Sequence, residues 1–221
     1  PPPGCLPALE RPGFRSRLGE LMVTRSLEAL RHWAEKGVAI TKVGVNFSSD
    51  ELSDPRLVDR IGWELDRQEI SPDRLVVEVL ETVMANRVDD IVISNLSGLA
   101  RLGCCLDLDD FGTGHASITS IRRFSIERIK IDRSFVTGID EDGEQQKMVG
   151  AILMMAEKLG LQTLAEGVET VEERAMLASL GCGHLQGFGI ARPMPLDEAD
   201  AWIERYRAGL VPPLRLDRKA V

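Results

Sequence analysis

No stretch of this chain approaches the roughly 18 consecutive apolar residues that a membrane-crossing helix requires, and no secretory leader is recognisable at its start. Cysteine occurs four times (Cys5, Cys104, Cys105, Cys182) without the paired spacing of a zinc site, which excludes a structural zinc module. Cys104 and Cys105 are neighbours on an apolar run, where successive side chains point to opposite faces, so they read as buried thiols of a reducing cytosol rather than a bridge. Histidine is scarce too. His32 and His115 lack the neighbours a metal centre or a nucleophilic triad needs, and His184 reads as a packing or surface residue. Positive charge is in deficit, 27 Lys and Arg against 35 Asp and Glu for a net charge of −8, which argues against broad electrostatic binding to nucleic acid. With 43% hydrophobic residues in 221, what remains is a chain able to bury a substantial core.

What is present is a recurring alternation of short β-branched runs with amphipathic segments of helical length. Strands are expected at Lys42–Asn46, Leu75–Glu78, Cys104–Asp109, Arg128–Ile131, Gln162–Ala165 and, more briefly, His184–Gln186. Helical spacing covers Leu18–Trp33, Val88–Leu102, Gln145–Leu159, Val171–Leu180 and Leu196–Tyr206. A further helix is expected to run from an N-cap at Ser53 to Arg67, with Pro55 in its first turn. Such β-then-α repetition predicts a parallel sheet.

Each strand terminates in polar side chains: Asn46, Glu78, the pair Asp109-Asp110, Lys130 with Asp132, Glu166, and Gln186. A (β/α)8 barrel assembles its site from the C-terminal ends of several strands, whereas an open doubly wound sheet concentrates it at one switch point. The expected fold is therefore an α/β, modified (β/α)8 TIM-like barrel over residues 1–207, followed by a tail at 208–221. A closed barrel needs eight strands and six are visible. Together with the opening Pro1-Pro-Pro-Gly, this reads as an excerpt whose first strands lie upstream.

The segment Leu106-Asp-Leu-Asp-Asp-Phe-Gly-Thr-Gly114 concentrates the chemistry. Two adjacent carboxylates at a strand end repel each other and raise one another's pKa, unless a divalent cation neutralises both. Gly112 and Gly114, flanking Thr113, allow a tight loop with backbone amides turned toward a ligand. Asn46, Glu78, Asp109, Asp110 and Glu166 together form an all-oxygen donor set suited to Mg2+ or Mn2+, and two such ions could clamp both oxygens of a phosphodiester. Lys130, between Ile129 and Ile131, must pair with a carboxylate if buried, and Asp132 shares its face; it either forms a structural ion pair or holds a water or phosphate oxygen. Glu81 and Glu169 each follow a proposed ligand by three residues and are assigned to fixing loops. Phe188, after Gln186-Gly187, either packs in the core or stacks on a base.

These segments resemble, in order and spacing from about Leu6 to Pro195, the EAL domains of bacterial signalling: Val45-Asn-Phe-Ser48, Val77-Glu-Val-Leu-Glu81, Asp109-Asp-Phe-Gly-Thr-Gly114, Lys130-Ile-Asp-Arg-Ser-Phe135, Ala165-Glu-Gly-Val-Glu-Thr170 and Gln186-Gly-Phe188. The segment Leu6–Glu10 resembles the one preceding the family's first visible helix. The resemblance implies hydrolysis of cyclic di-GMP to linear pGpG with a pair of Mg2+ or Mn2+ ions. It implies metal positions at Asn46, Glu78, Asp109, Asp110 and Glu166, and water positioning and deprotonation by Lys130 and Glu166. Asp132 and Gln186 take supporting positions, and the loop held by Glu81 couples dimerisation to metal binding. Leu80, His115 and Ala116 depart from the family's usual residues. The Glu-Ala-Leu motif itself is expected upstream of Pro1. The implied setting is a cytoplasmic homodimer with a sensor or GGDEF-type domain before it, or, should the motif glutamate be lacking, a non-hydrolysing cyclic di-GMP receptor.

Overall fold

The computed structural model describes residues 14–84, 89–113 and 118–209. Gly114, His115 and Ala116, the expected helix start at Val88, Cys5, the segment 6–10 and the tail from 210 onward lie outside the described residues. The strands are β1 (Val43–Phe47), β2 (Leu75–Leu80), β3 (Cys105–Phe111), β4 (Arg128–Ile131), β5 (Gln162–Ala165) and β6 (His184–Leu185). They form one sheet in the order β1-β2-β3-β4-β5-β6, so each strand's neighbour is the next in sequence, as in the wall of a TIM-like barrel. The register of β1 on β2, β2 on β3 and β5 on β6 is parallel. The chain divides into two compact units, 1–128 and 129–221.

In the first unit the helices are α1 (Phe14–Glu35), α2 (Ser49–Leu52), α3 (Leu57–Gln68), α4 (Asp90–Leu102) and α5 (Ile118–Arg123). The expected continuous helix from Ser53 is broken in two. Ser48 and Glu51 form a reciprocal capping box that starts α2, and Ser53 ends that helix instead of starting the next. Pro55 disfavours helical geometry at Asp54, and Asn95 donates to the carbonyls of Leu52 and Asp54, both at 2.8 Å, to hold the turn. The helix resumes at Leu57. The short α5 has no counterpart among the expected helices, because six residues are too few to show helical periodicity. Asp89 caps α4 through the Ile91 amide, and Gly103 ends it at φ +107, a conformation that an L side chain rarely adopts. The chain then enters β3, whose residues 105–109 are all buried, as expected of a parallel strand covered on both faces. Leu106 and Leu108 are almost fully enclosed, each contributing about 2 kcal/mol of apolar burial.

The second unit contains α6 (Gly143–Leu159), α7 (Val171–Ser179) and α8 (Leu196–Arg207). Its core joins Ile131 of β4 and Ala165 of β5 with Val136, Ile139, Val149, Leu153, Val168 and Leu177. Asp142 caps α6 by accepting from the amides of Glu144 and Gln145, and Gly160 ends it in the left-handed region.

Burial also settles the adjacent cysteines. Both are enclosed, and burial pushes the Cys104 thiol up to about 12. Cys105 lies against the Lys42 ammonium at 2.7 Å. At neutral pH Cys104 carries almost no thiolate, the reactive form. In a time course with iodoacetamide at pH 7.5, it is expected to stay unmodified in the native protein and to react once denatured; rapid native labelling would contradict this.

Candidate active site

The register of the first unit lines up the proposed ligands. Asn46 on β1 pairs with Glu78 on β2, and Glu78 pairs with Asp107 on β3, so these side chains form one row on one face. Leu80 and Asp109 make the next row toward the strand ends. Gly44, two residues before Asn46 on the same face, leaves the space that the Glu78 carboxylate occupies; a Cβ there would collide with it. Asn46 is exposed, Glu78 and Asp110 half-buried, and Asp109 buried.

Adjacent residues of a regular strand point to opposite faces, so Asp109 and Asp110 would be separated by simple alternation. The backbone prevents that. Asp110 has φ +54, a left-handed conformation uncommon outside glycine, which takes the chain out of the pleat at that residue. The Asp110 amide donates to Asp109 Oδ1 at 3.2 Å. The loop that follows is tied to Glu81, just past β2, whose Oε2 accepts from the amides of Gly112 (3.1 Å) and Thr113 (2.9 Å) and from the Thr113 hydroxyl (2.9 Å). Gly112 itself sits at φ +111.

In the second unit Lys130 is buried on β4, and its Nζ pairs with Glu166 Oε1 at 2.7 Å, immediately past β5. Local periodicity offers Asp132 as the lysine's partner. In the structure Asp132 caps a 3-10 turn at Arg133–Phe135 by accepting from the Ser134 amide at 2.9 Å. The Glu166 amide donates to the Ile131 carbonyl at 3.1 Å, which fixes the start of the β5 loop on β4. Gln186 is exposed, while its backbone pairs with Ala165 and Val168. Phe188 is 51% exposed and lies under the Arg192 guanidinium, 4.8 Å from its ring centre, so it is not a core residue.

Two carboxylates beside these residues are not evident from the sequence pattern. Asp107, buried two residues before Asp109, accepts from Arg128 Nε at 2.7 Å and pairs with Nη2 at 2.5 Å. The period-two spacing of Asp107 and Asp109 is visible in the sequence; the identity of the cation facing Asp107 is not. The second is Glu173. Glu169, expected to fix its loop, is exposed, and the loop's amides turn to Glu173 instead. Glu173 Oε2 accepts from the amides of Glu169 (2.8 Å) and Thr170 (3.0 Å), and Oε1 from Gly138 (2.9 Å). The Thr170-x-x-Glu173 spacing is a capping box, the signal that could have exposed it.

Burial by itself would raise the Glu173 carboxyl, but the donated hydrogen bonds outweigh it and hold it below the ordinary value. A carboxyl depressed on folding adds stability above its unfolded pKa, and that stability is lost as pH falls through the folded pKa. Wild-type melting temperature is therefore expected to drop more steeply than that of Glu173→Gln below about pH 4.5. Parallel melting curves across that range would refute the assignment.

The donors at these strand ends are carboxylate and amide oxygens, a set that fits a hard divalent cation and not a thiophilic one. No described helix is long and apolar enough to cross a membrane. Compared with known proteins, residues 1–193 match the family described as EAL domain. The chain is 34% identical over 193 residues to the bifunctional diguanylate cyclase/cyclic di-GMP phosphodiesterase MucR of Pseudomonas aeruginosa, covering 87% of this chain and 28% of MucR. A solved MucR phosphodiesterase in complex with cyclic di-GMP superposes with a TM-score of 0.82 at 33% identity, over 90% of this chain and 80% of that one. A manganese/cyclic di-GMP complex of Klebsiella pneumoniae BlrP1 gives 0.68 at 30% identity, covering 79% of this chain and 45% of that one. The chain spans 25% to 31% of the length of the first curated relatives it matches.

Proposed function

The chain belongs to the EAL domain family, and from that premise we propose that it hydrolyses cyclic di-GMP to linear pGpG in a site built at the C-terminal ends of its strands. The observation that carries this reading is the pair of buried Lys130 with Glu166 at 2.7 Å in the second unit, while the strand ends of the first unit carry Asn46, Glu78, Asp109 and Asp110. A buried lysine is costly unless a carboxylate meets it in good geometry or the pair has a task.

In the proposed reaction Glu166 accepts a proton from the attacking water as its oxygen bonds to phosphorus. The P–O3′ bond breaks, the departing 3′ oxygen takes up a proton from solvent, and the dinucleotide opens with a free 3′-hydroxyl and a 5′-phosphate. Lys130, anchored to Glu166, donates to the attacking oxygen or a phosphate oxygen. Asn46, Glu78, Asp109, Asp110 and Glu166 would hold Mg2+ or Mn2+, which supplies positive charge for lowering the pKa of water and offsetting negative charge on phosphate. Asp132 and Gln186 support the strand ends, Phe188 offers an exposed ring to a base, and Glu81 with Gly112 and Thr113 shapes the loop beside Asp110. The manganese and cyclic di-GMP in the relatives' complexes support this reading. Homodimerisation, a cytoplasmic setting and an attached sensor or GGDEF-type domain belong to the same proposal.

The test is direct. The full-length protein, incubated with cyclic di-GMP and Mn2+, is expected to yield pGpG by chromatography. Excess EDTA is expected to stop turnover, and Mn2+ added back to restore it. Saturable binding of intact dinucleotide without turnover would establish a receptor in place of an enzyme.

A further inference from the structure

On the phosphodiesterase reading, we propose that Glu173 is a positioning residue for the Lys130–Glu166 pair, acting by joining the loop after β4 to the loop after β5. Lys130 lies one residue from the end of β4 and Glu166 one residue beyond β5, so each is aimed by the loop that leaves its strand. The β4 loop continues through the turn at Arg133–Phe135 to Gly138, and the β5 loop runs from Glu166 to Thr170.

Glu173 reaches both. One carboxylate oxygen accepts from Gly138, and the other from Glu169 and Thr170. Its side chain is enclosed, with 4% residual exposure, so water does not readily replace it at those amides. The intervening backbone leaves little slack. Gly167 takes φ +72, and a Cβ there would lie 2.6 Å from Arg133 Cβ. A Cβ on Gly189 would lie 2.7 Å from the Glu169 carbonyl oxygen. The β5 loop is thus packed against the β4 turn on one side and the segment after β6 on the other. With Glu173 intact, the amides three and four residues beyond Glu166 share one buried acceptor. Without it, the amides of Gly138, Glu169 and Thr170 lose a buried acceptor, and the two loops lose the side chain that joins them.

A capping residue alone would do less. Thr170 starts α7 by accepting from the Glu173 amide at 3.1 Å, a bond that touches neither Gly138 nor Glu169. Thr170→Ala therefore weakens the helix start while sparing the link between loops. It serves as the control for a purely structural role.

The experiment compares wild type, Glu173→Ala, Glu173→Gln and Thr170→Ala in the full-length protein. It reads melting temperature, Mn2+ binding by calorimetry, kcat and KM for cyclic di-GMP, and amide exchange at residues 138, 169 and 170. Glu173→Ala is expected to lower kcat at least about tenfold, as misplacement of reacting groups by a fraction of an ångström does, with KM within about twofold. Exchange at the three amides should accelerate. Glu173→Gln keeps one acceptor oxygen and should fall between Glu173→Ala and wild type, which also preserves the test if the alanine variant fails to fold. Thr170→Ala should lose melting temperature but keep kcat within about twofold of wild type. Equal kcat losses in Thr170→Ala and Glu173→Gln, or unchanged exchange in both Glu173 variants, would overturn the proposal. Should wild type itself not turn over substrate, the phosphodiesterase reading fails separately. Mn2+ affinity then decides for Glu173: weakening in Glu173→Gln but not in Thr170→Ala sustains the positioning role, and equal affinities refute it.

Discussion

Asp109→Asn is expected to reduce Mn2+-dependent hydrolysis of cyclic di-GMP by at least about 1000-fold, the equivalent of several kcal/mol of lost charge stabilisation at the phosphate. The substitution keeps the side chain's shape. An asparagine Oδ1 can still accept from the Asp110 amide, which lies 3.2 Å from Asp109 Oδ1 in the native site. Melting temperature without metal should therefore stay close to that of wild type, while added Mn2+ should no longer raise it. Loss of activity with an intact fold would tie the chemistry to this carboxylate. Retention of more than about a tenth of the activity would exclude Asp109 as a necessary metal ligand.

The second large effect falls on stability and activity together. Lys130→Ala is expected to cost about 3 kcal/mol in urea unfolding, because it empties a buried site on β4 and takes the ammonium 2.7 Å from Glu166 Oε1 away. Turnover should fall at least about 100-fold with it, the lower range for losing a positioned proton-transfer partner. A double-mutant cycle separates the two consequences. Lys130→Met combined with Glu166→Gln removes both charges at nearly constant volume, and most of the lost stability should return. Activity should not. Recovery of turnover in the double variant would reduce the pair to a structural ion pair, the blander reading that the sequence alone leaves open.

The contrast between these two sites shows what a single chain of letters can reveal. The limits of β4 and β5 coincide with those expected from pattern, because their β-branched and apolar residues are bounded by residues that stop a strand. The acidic strand ends are equally legible: alternation and strand length are local properties, and a carboxylate at the end of an apolar run stands out. Capping residues such as Thr170 and Asp142 are local too, and their spacing can be read without coordinates.

Partnership is a different matter. Periodicity places Asp132 on the face of Lys130, and it is the structure that adds Glu166 at 2.7 Å from the lysine, because neighbouring strands bring together side chains far apart in sequence. The same holds for Asp107 with Arg128 and for Glu81 with the amides of Gly112 and Thr113. At Asp110, a left-handed backbone overrides the alternation that would have sent its carboxylate to the opposite face. Glu173 is legible as half of a capping box, while its bond to Gly138 exists only once two loops meet. By itself the sequence determined which residues sit at strand ends, since that follows from short-range sterics and hydrophobic period. Tertiary structure alone decided which charge meets which, since desolvation and hydrogen bonding depend on neighbours that only folding supplies.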